Sequence, residues 1–199
     1  LRRGVNLSHW WWQPDQRDPV KIEKSIGPED VRLIKGAGIT HVRIPIDPSF
    51  FATAEGKLND ANTARLLRSV KAFNDAGIAT VIDCHPAGTH SKGMLASDSA
   101  QAWADELEKF WKSFAPALRQ TGPDLVAVEL LNEPNGIADP KEWPAAQERA
   151  RRAVRAALPR HTVILTGDDW GSIDGLLRLD AAPDPNTVYS IHFYEPHTF

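Results

Sequence analysis

Asn132-Glu133-Pro134 closes the most apolar run of the sequence, Leu125 to Leu131. A carboxyl at the end of such a strand stands between a dry interior and solvent. Its charged form is disfavoured there, so its pKa is expected to rise toward the value a general acid needs. Asn132 beside it can donate to a ligand hydroxyl. The tripeptide also reads as a plain strand-ending turn, since Asn and Pro both favour turns. Other polar side chains follow other short apolar runs: His9, Arg43 and Asp47, Asp83 and His85, Asp168 and Asp169, His192 and Tyr194. Arg43 lies between Val42 and Ile44, which points its guanidinium inward, and an inward guanidinium needs a carboxylate to justify its burial. A barrel-end ion pair is its structural alternative. His85 precedes Pro86, where the chain leaves the strand; a histidine satisfied by backbone is the bland alternative there. Trp10-Trp11-Trp12 and Trp170 follow two of the runs and are candidates for stacking on sugar faces, with at least one of the clustered three expected in the core.

These side chains need elements to hold them. Gly38-Ile39-Thr40-His41-Val42-Arg43-Ile44 is echoed 39 residues later by Gly77-Ile78-Ala79-Thr80-Val81-Ile82-Asp83, and each copy follows a helical pattern ending in Ala-Gly. Strands are expected at residues 4–7, 40–45, 79–84, 126–131, 162–165 and 187–192. Helices are expected near 28–36, 60–76, 99–119, 142–158 and 172–179. Continuous apolar runs imply strands buried on both faces, the habit of parallel strands covered by helices. No G-x-G-x-x-G or G-x-x-x-x-G-K-[ST] follows any strand, which argues against a nucleotide-binding doubly wound sheet. The expected fold is an α/β (β/α)8 barrel of one domain, with the chain covering six βα units. In such a barrel every C-terminal strand end faces one mouth, so the polar residues above are expected to converge there.

Composition narrows the function. Across 199 residues, 23 Lys and Arg against 26 Asp and Glu leave a formal charge of -3, too little positive charge for a nucleic-acid footprint. The Arg149, Arg151, Arg152, Arg155 cluster is read as a solvated helix face. Cys84 is the only cysteine, which excludes an internal disulfide and a cysteine-based zinc cluster. No apolar run approaches the roughly 20 residues that span a bilayer. Trp103, Leu107, Phe110, Trp111, Phe114 and Leu118 form one helical stripe and are expected in the core.

Gly4-Val5-Asn6-Leu7, Val42-Arg43-Ile44-Pro45, Asp83-Cys84-His85, Leu131-Asn132-Glu133-Pro134 and His192-Phe193-Tyr194 occur in this order along the whole chain. The set resembles glycoside hydrolase family 5, the cellulase and mannanase family of retaining (β/α)8 barrels. The resemblance implies that Glu133 is the acid/base and Asn132 the partner of the sugar 2-hydroxyl. It implies that Arg43 braces the nucleophile, that His85 and His192 are subsite histidines and that Tyr194 bonds the nucleophile. A retaining glycosidase needs two carboxyls roughly 5 Å apart. The family's nucleophile ends strand seven, so it is expected after Phe199, and Glu195 reads as a solvated loop carboxylate. Asp47, Asp83, Asp168 and Asp169 are expected to hold loops, cap helices or touch sugar hydroxyls. His9, His90 and His197 receive no role.

The expected activity is retaining hydrolysis of O-glycosidic bonds in a β-linked polysaccharide or oligosaccharide, endo or exo. The expected partner is a carbohydrate, with no cofactor, metal, nucleic acid or membrane. A metal-dependent hydrolase on the same barrel is the alternative, because seven His and several Asp could assemble a metal site, though His9 lacks the His-x-His partner such sites use. A noncatalytic sugar-binding barrel is the other. Secretion or a periplasmic location is expected, with a segment missing upstream of Leu1. A barrel interrupted after six strands leaves two unpaired edges, so a C-terminal extension or a second chain is expected to supply strands seven and eight. The isolated segment is expected to aggregate and to be inactive.

Overall fold

The computed structural model describes residues 2–15, 17–86 and 99–196. Strands β1 (Gly4–Asn6), β2 (His41–Ile46), β3 (Ala79–Cys84), β4 (Val126–Glu129), β5 (Thr162–Thr166) and β6 (Thr187–Ser190) pair in sequence order into one sheet. Every pair is parallel. Parallel neighbours need long crossovers. Helices α1 (Pro19–Lys24), α2 (Pro28–Gly36), α3 (Asp60–Asp75), α4 (Ala100–Phe114), α5 (Trp143–Ala157), one-turn α6 (Asp168–Gly171) and α7 (Ile173–Leu177) lie in them. This is six units of a (β/α)8 barrel wall.

Two apolar layers follow the period-two alternation of the strands. Val42, Ile44, Ile82, Val126, Val128, Val163 and Leu165 face the helices and pack with Leu66, Val70 and Phe73 of α3 and Leu107, Phe110 and Phe114 of α4. On the opposite, inner face Val81, Ala127 and Ile164 form a separate small cluster. Asn59 caps α3 by accepting from the Asn62 N–H, and Gly77 leaves that helix at φ 74°. Gly38 leaves α2 at the same φ of 74°, so the two copies of the repeat are two equivalent βα units.

The alternation slips once. Glu129 is the last residue of β4, and Leu130 and Leu131 after it both lie in the helix-facing core. The Trp111 indole N–H donates to the Leu130 carbonyl at 3.0 Å, and the Asn132 N–H returns to the Cys84 carbonyl at 2.9 Å. A one-residue slip of this kind re-aims the side chains that follow. It brings Asn132 to the same inner face as Glu129, and it ends β4 two residues before the expected 131.

Smaller differences have local causes. Residues 99–119 divide into α4 and a 3-10 turn, Ala115–Gln120, where Pro116 cannot continue the hydrogen-bond ladder. Helix α1 escaped notice because it has six residues, yet the Asp18 cap and Pro19 behind it were its signal. The arginine cluster is not a uniformly solvated face. Arg151 is buried with Glu148 and Asp184, and Arg155 reaches Asp184, while Arg152 remains exposed. Among the described residues no helix is long and apolar enough to cross a membrane.

Candidate active site

A cleft of about 680 Å³ runs from the inner face of the sheet to its C-terminal edge and is lined by Asn6, Trp12, Arg43, His85, Glu129, Asn132, Glu133, His192 and Tyr194, among others. Glu133 stands at its rim, with 22% of its side chain exposed. Its backbone has φ 41°, a left-handed conformation that costs a non-glycine residue of order 1–3 kcal/mol and persists only where the surroundings impose it. Three contacts do so. The Asn135 side chain donates to the Glu133 carbonyl at 2.8 Å, the Trp170 N–H donates to the Pro134 carbonyl at 3.1 Å, and His192 Nδ1 meets Glu133 Oε1 at 2.8 Å.

Beneath Glu133 lies a buried charge cluster centred on Arg43. Its Nε and Nη2 grip both oxygens of Glu129 at 2.7 and 3.0 Å, Nη2 also lies 2.9 Å from Asp83, and Nη1 donates to Asn6 at 3.0 Å. Nη2 further donates to Asn132 Oδ1 at 2.9 Å. That bond sets the orientation of the Asn132 amide and leaves its NH2 for a ligand. Among the described residues the carboxylates that pair with the buried Arg43 are Glu129 and Asp83, so its burial is already justified within the first six strands. Asp83 is no loop anchor or helix cap. It is fully buried between Arg43 and His85, whose Nδ1 it holds at 2.8 Å.

The two carboxylates share one guanidinium unequally. Burial opposes the charge of Glu129, but His192 and Arg43 outweigh it and bring its pKa from 4.5 to about 2. At Asp83, burial and the Glu129 charge push the pKa up against the pull of Arg43 and His85. Burial would loosen the Arg43 proton, yet Asp83 and Glu129 hold it more tightly than usual. A carboxyl depressed in the fold adds stability that is complete above its unfolded pKa and is lost as pH falls through the folded one. For Glu129 this window runs from 4.5 down to about 2 and corresponds to about 3 kcal/mol. Asp83, shifted the other way, offsets part of it. Glu129→Gln is therefore expected to flatten the acid side of the stability curve. Urea unfolding at pH 5 and pH 2.5 checks this, and equal losses in parent and variant would contradict it.

Trp12 packs on His85 with ring centroids 4.1 Å apart, whereas Trp10 and Trp11 are core residues at 2% and 0% exposure. Trp170 is 60% exposed. It is presented by three successive left-handed residues, Asp169, Trp170 and Gly171, at φ 55°, 60° and 73°. This turn is tied to the end of β6 by the His192 N–H, which donates to the Gly171 carbonyl at 2.9 Å. Trp170, Tyr194, Glu195, Glu133 and His192 line a second cleft of about 740 Å³ that adjoins the first. Trp103 and Trp111 are buried as expected.

Convergence on one mouth is not universal. Asp47 is buried and caps a 3-10 turn through the Ser49 N–H, Asp168 is turned to Arg178 at 2.9 Å, and Asp169 accepts from Ser172. His9 Nδ1 meets the Gln13 carbonyl oxygen. His90 and His197 lie outside the described residues. Glu129 was missed in the sequence. A charged residue inside an otherwise apolar run, two positions after inward Ala127, was the signal that could have found it. Among the described residues no three His, Cys, Asp or Glu gather as metal ligands.

The family model of cellulase, glycosyl hydrolase family 5, matches residues 5–199. Endoglucanase 3 of Fibrobacter succinogenes is 27% identical over 100% of this chain and 32% of its own length. Cellodextrinase A of Ruminococcus flavefaciens is 26% identical over 99% of this chain and 59% of its own. Cel5A of Thermotoga maritima, solved in complex with mannotriose, superposes with a TM-score of 0.83 at 28% identity, covering 98% of this chain and 61% of that one. The chain thus spans less than two thirds of the length of these relatives. With Asn132-Glu133 at the end of β4, Arg43 beneath them and His192 against the carboxyl, the match over nearly the whole sequence shows that this chain belongs to glycosyl hydrolase family 5.

Proposed function

We propose that this chain carries the acid/base half of a retaining β-glycanase acting on a β-linked glucan or mannan. The observation that carries the reading is Glu133, held at the rim of the cleft by His192 and flanked by an Asn132 whose amide is set by Arg43. Cel5A has been solved with cellobiose and with mannotriose, which supports both glycans as candidates. Neither the metal-dependent nor the noncatalytic reading is favoured by the family match.

In this mechanism Glu133 gives its proton to the departing glycosidic oxygen while a second carboxylate attacks the anomeric carbon. Glu133, now ionised, then takes a proton from the water that releases the sugar. Glu129 is no candidate for the attack, since Arg43 occupies both its oxygens. The nucleophile is proposed to lie beyond Phe199, on a strand that continues the sheet past β6. The greater length of the relatives supports this, as does the apolar Val188, 44% exposed on β6. On this reading residues 1–199 alone are inactive, and the extended gene restores turnover. A secreted or periplasmic location is proposed with the polysaccharide substrate.

The test is product stereochemistry. A polypeptide with the complete barrel is expected to release β-configured sugars from β-1,4-glucan or mannan oligosaccharides, read by proton NMR in the first minutes. Initial α-product, or no release from either glycan, overturns the reading. Trp170 and Trp12 are proposed as sugar platforms. Trp170→Ala is expected to raise KM on long oligosaccharides about tenfold and to spare short aryl glycosides. Trp12→Ala is expected to do the same. Equal losses on both substrates with a lowered Tm would assign that Trp to packing.

A further inference from the structure

We infer that Glu129 is a positioning residue for the acid/base. It faces His192 from beneath the mouth, so that the ring's Nδ1–H donates to Glu133 Oε1 and Oε2 alone carries the mobile proton. The inference rests on the reading of Glu133 as the acid, and it goes beyond it by assigning work to a buried carboxylate whose two oxygens Arg43 holds.

The geometry is a chain of three groups. Glu133 Oε1 lies 2.8 Å from His192 Nδ1, and on the other edge of the ring Nε2 faces Glu129 Oε1 at 3.8 Å. The second distance is an ion-pair separation, longer than a hydrogen bond. The His192 backbone is fixed by its N–H, which donates to the Gly171 carbonyl at 2.9 Å, and the ring packs so near Gly171 that a Cβ added there would come within 3.3 Å of His192 Cγ. Glu129 is itself immobilised by the two bonds from Arg43.

The charges facing His192 are Glu129 from β4, Glu133 from the turn after it and Arg43 from β2, with Asp169 of α6, Asp174 of α7 and Glu195 lining the adjoining cleft. Glu129, followed by Glu133, raises the pKa of the ring, against its burial and the Arg43 charge. An imidazolium donates from both nitrogens. Its Nδ1–H then holds Glu133 Oε1 in either state of the acid. When the Oε2–H bond breaks and the proton passes to the glycosidic oxygen, the carboxylate left behind is already accepting a charge-assisted bond. Were the ring neutral with its one proton on Nε2 toward Glu129, Nδ1 would be an acceptor and would compete for the same proton.

Two readouts test this in a polypeptide carrying the complete barrel. Nitrogen-15 NMR of the parent at pH 6 is expected to show both His192 ring nitrogens protonated; an unprotonated Nδ1 there overturns the inference. Removing the nearby negative charge lowers the proton affinity of His192, so Glu133 Oε1 loses its imidazolium donor at a lower pH. Glu129→Gln is therefore expected to move the alkaline limb of kcat/KM down by about one pH unit. Glu129→Asp keeps the charge and is expected to keep the limb while losing kcat. A purely structural role would lower activity evenly across pH, and an unmoved limb in a folded Glu129→Gln protein overturns the inference. An inactive parent would remove the proposed function instead, and the nitrogen spectrum would still judge Glu129.

Discussion

Glu133→Gln, in a polypeptide carrying the complete barrel, is expected to lower kcat on natural β-glycans by about 10²–10⁴-fold. The amide is isosteric and can still meet His192, so binding should change little and the loss should fall on kcat. Without an acid the sugar oxygen must leave as an alkoxide. Aryl glycosides with acidic leaving groups need little protonation, so their first step should be nearly spared. Azide should then accelerate breakdown of the trapped intermediate, because a small anion attacks without needing a general base. The measurement is a series of aryl glycosides of graded leaving-group pKa. A penalty that stays constant across the series would remove Glu133 from the acid role.

Arg43→Ala is expected to have the largest effect on stability, about 3–5 kcal/mol, because it leaves Glu129 and Asp83 buried without their shared cation. The same change frees the Asn132 amide, which Arg43 orients at 2.9 Å. Lysine is not a repair. Its single ammonium cannot reach Glu129 through two parallel bonds and also hold Asn6, Asp83 and Asn132. The lost stability should be smaller at low pH, where Asp83, already shifted upward, takes a proton more readily than Glu129. Chemical denaturation at pH 7 and pH 4 checks both statements. A loss below 1 kcal/mol at pH 7 would mean that the cluster tolerates an unpaired charge.

The barrel wall was legible in the sequence because its signals are local. The repeat ending in Gly38 and Gly77 marks two equivalent helix exits, both at φ 74°. The stripe from Trp103 to Phe114 follows the helical period into the core. Asn132, Glu133, Arg43, His85, His192 and Tyr194 were identifiable because strand ends in a parallel barrel share one side, and all six line one cleft. Trp170 was identifiable only as a candidate; its exposure depends on three left-handed residues that pattern alone does not announce.

The partners of the charges were decided by tertiary structure. Sequence alone determined that Arg43 would need a carboxylate, since an inward guanidinium between apolar neighbours cannot stay unpaired. Which carboxylate depends on register: Asp83 stands beside Glu129 in the β3–β4 pairing, and both face the guanidinium from neighbouring strands. The slip at Leu130 and Leu131 then turns Asn132 inward above Glu129, where strict alternation would have pointed it at the helices. A one-residue offset moves every following side chain to the other face. Its position rests on an indole, Trp111, that reaches the Leu130 carbonyl from helix α4. Alternation along one strand can be read from its own residues, but a long-range hydrogen bond that interrupts it cannot, and that bond decides which polar side chains meet.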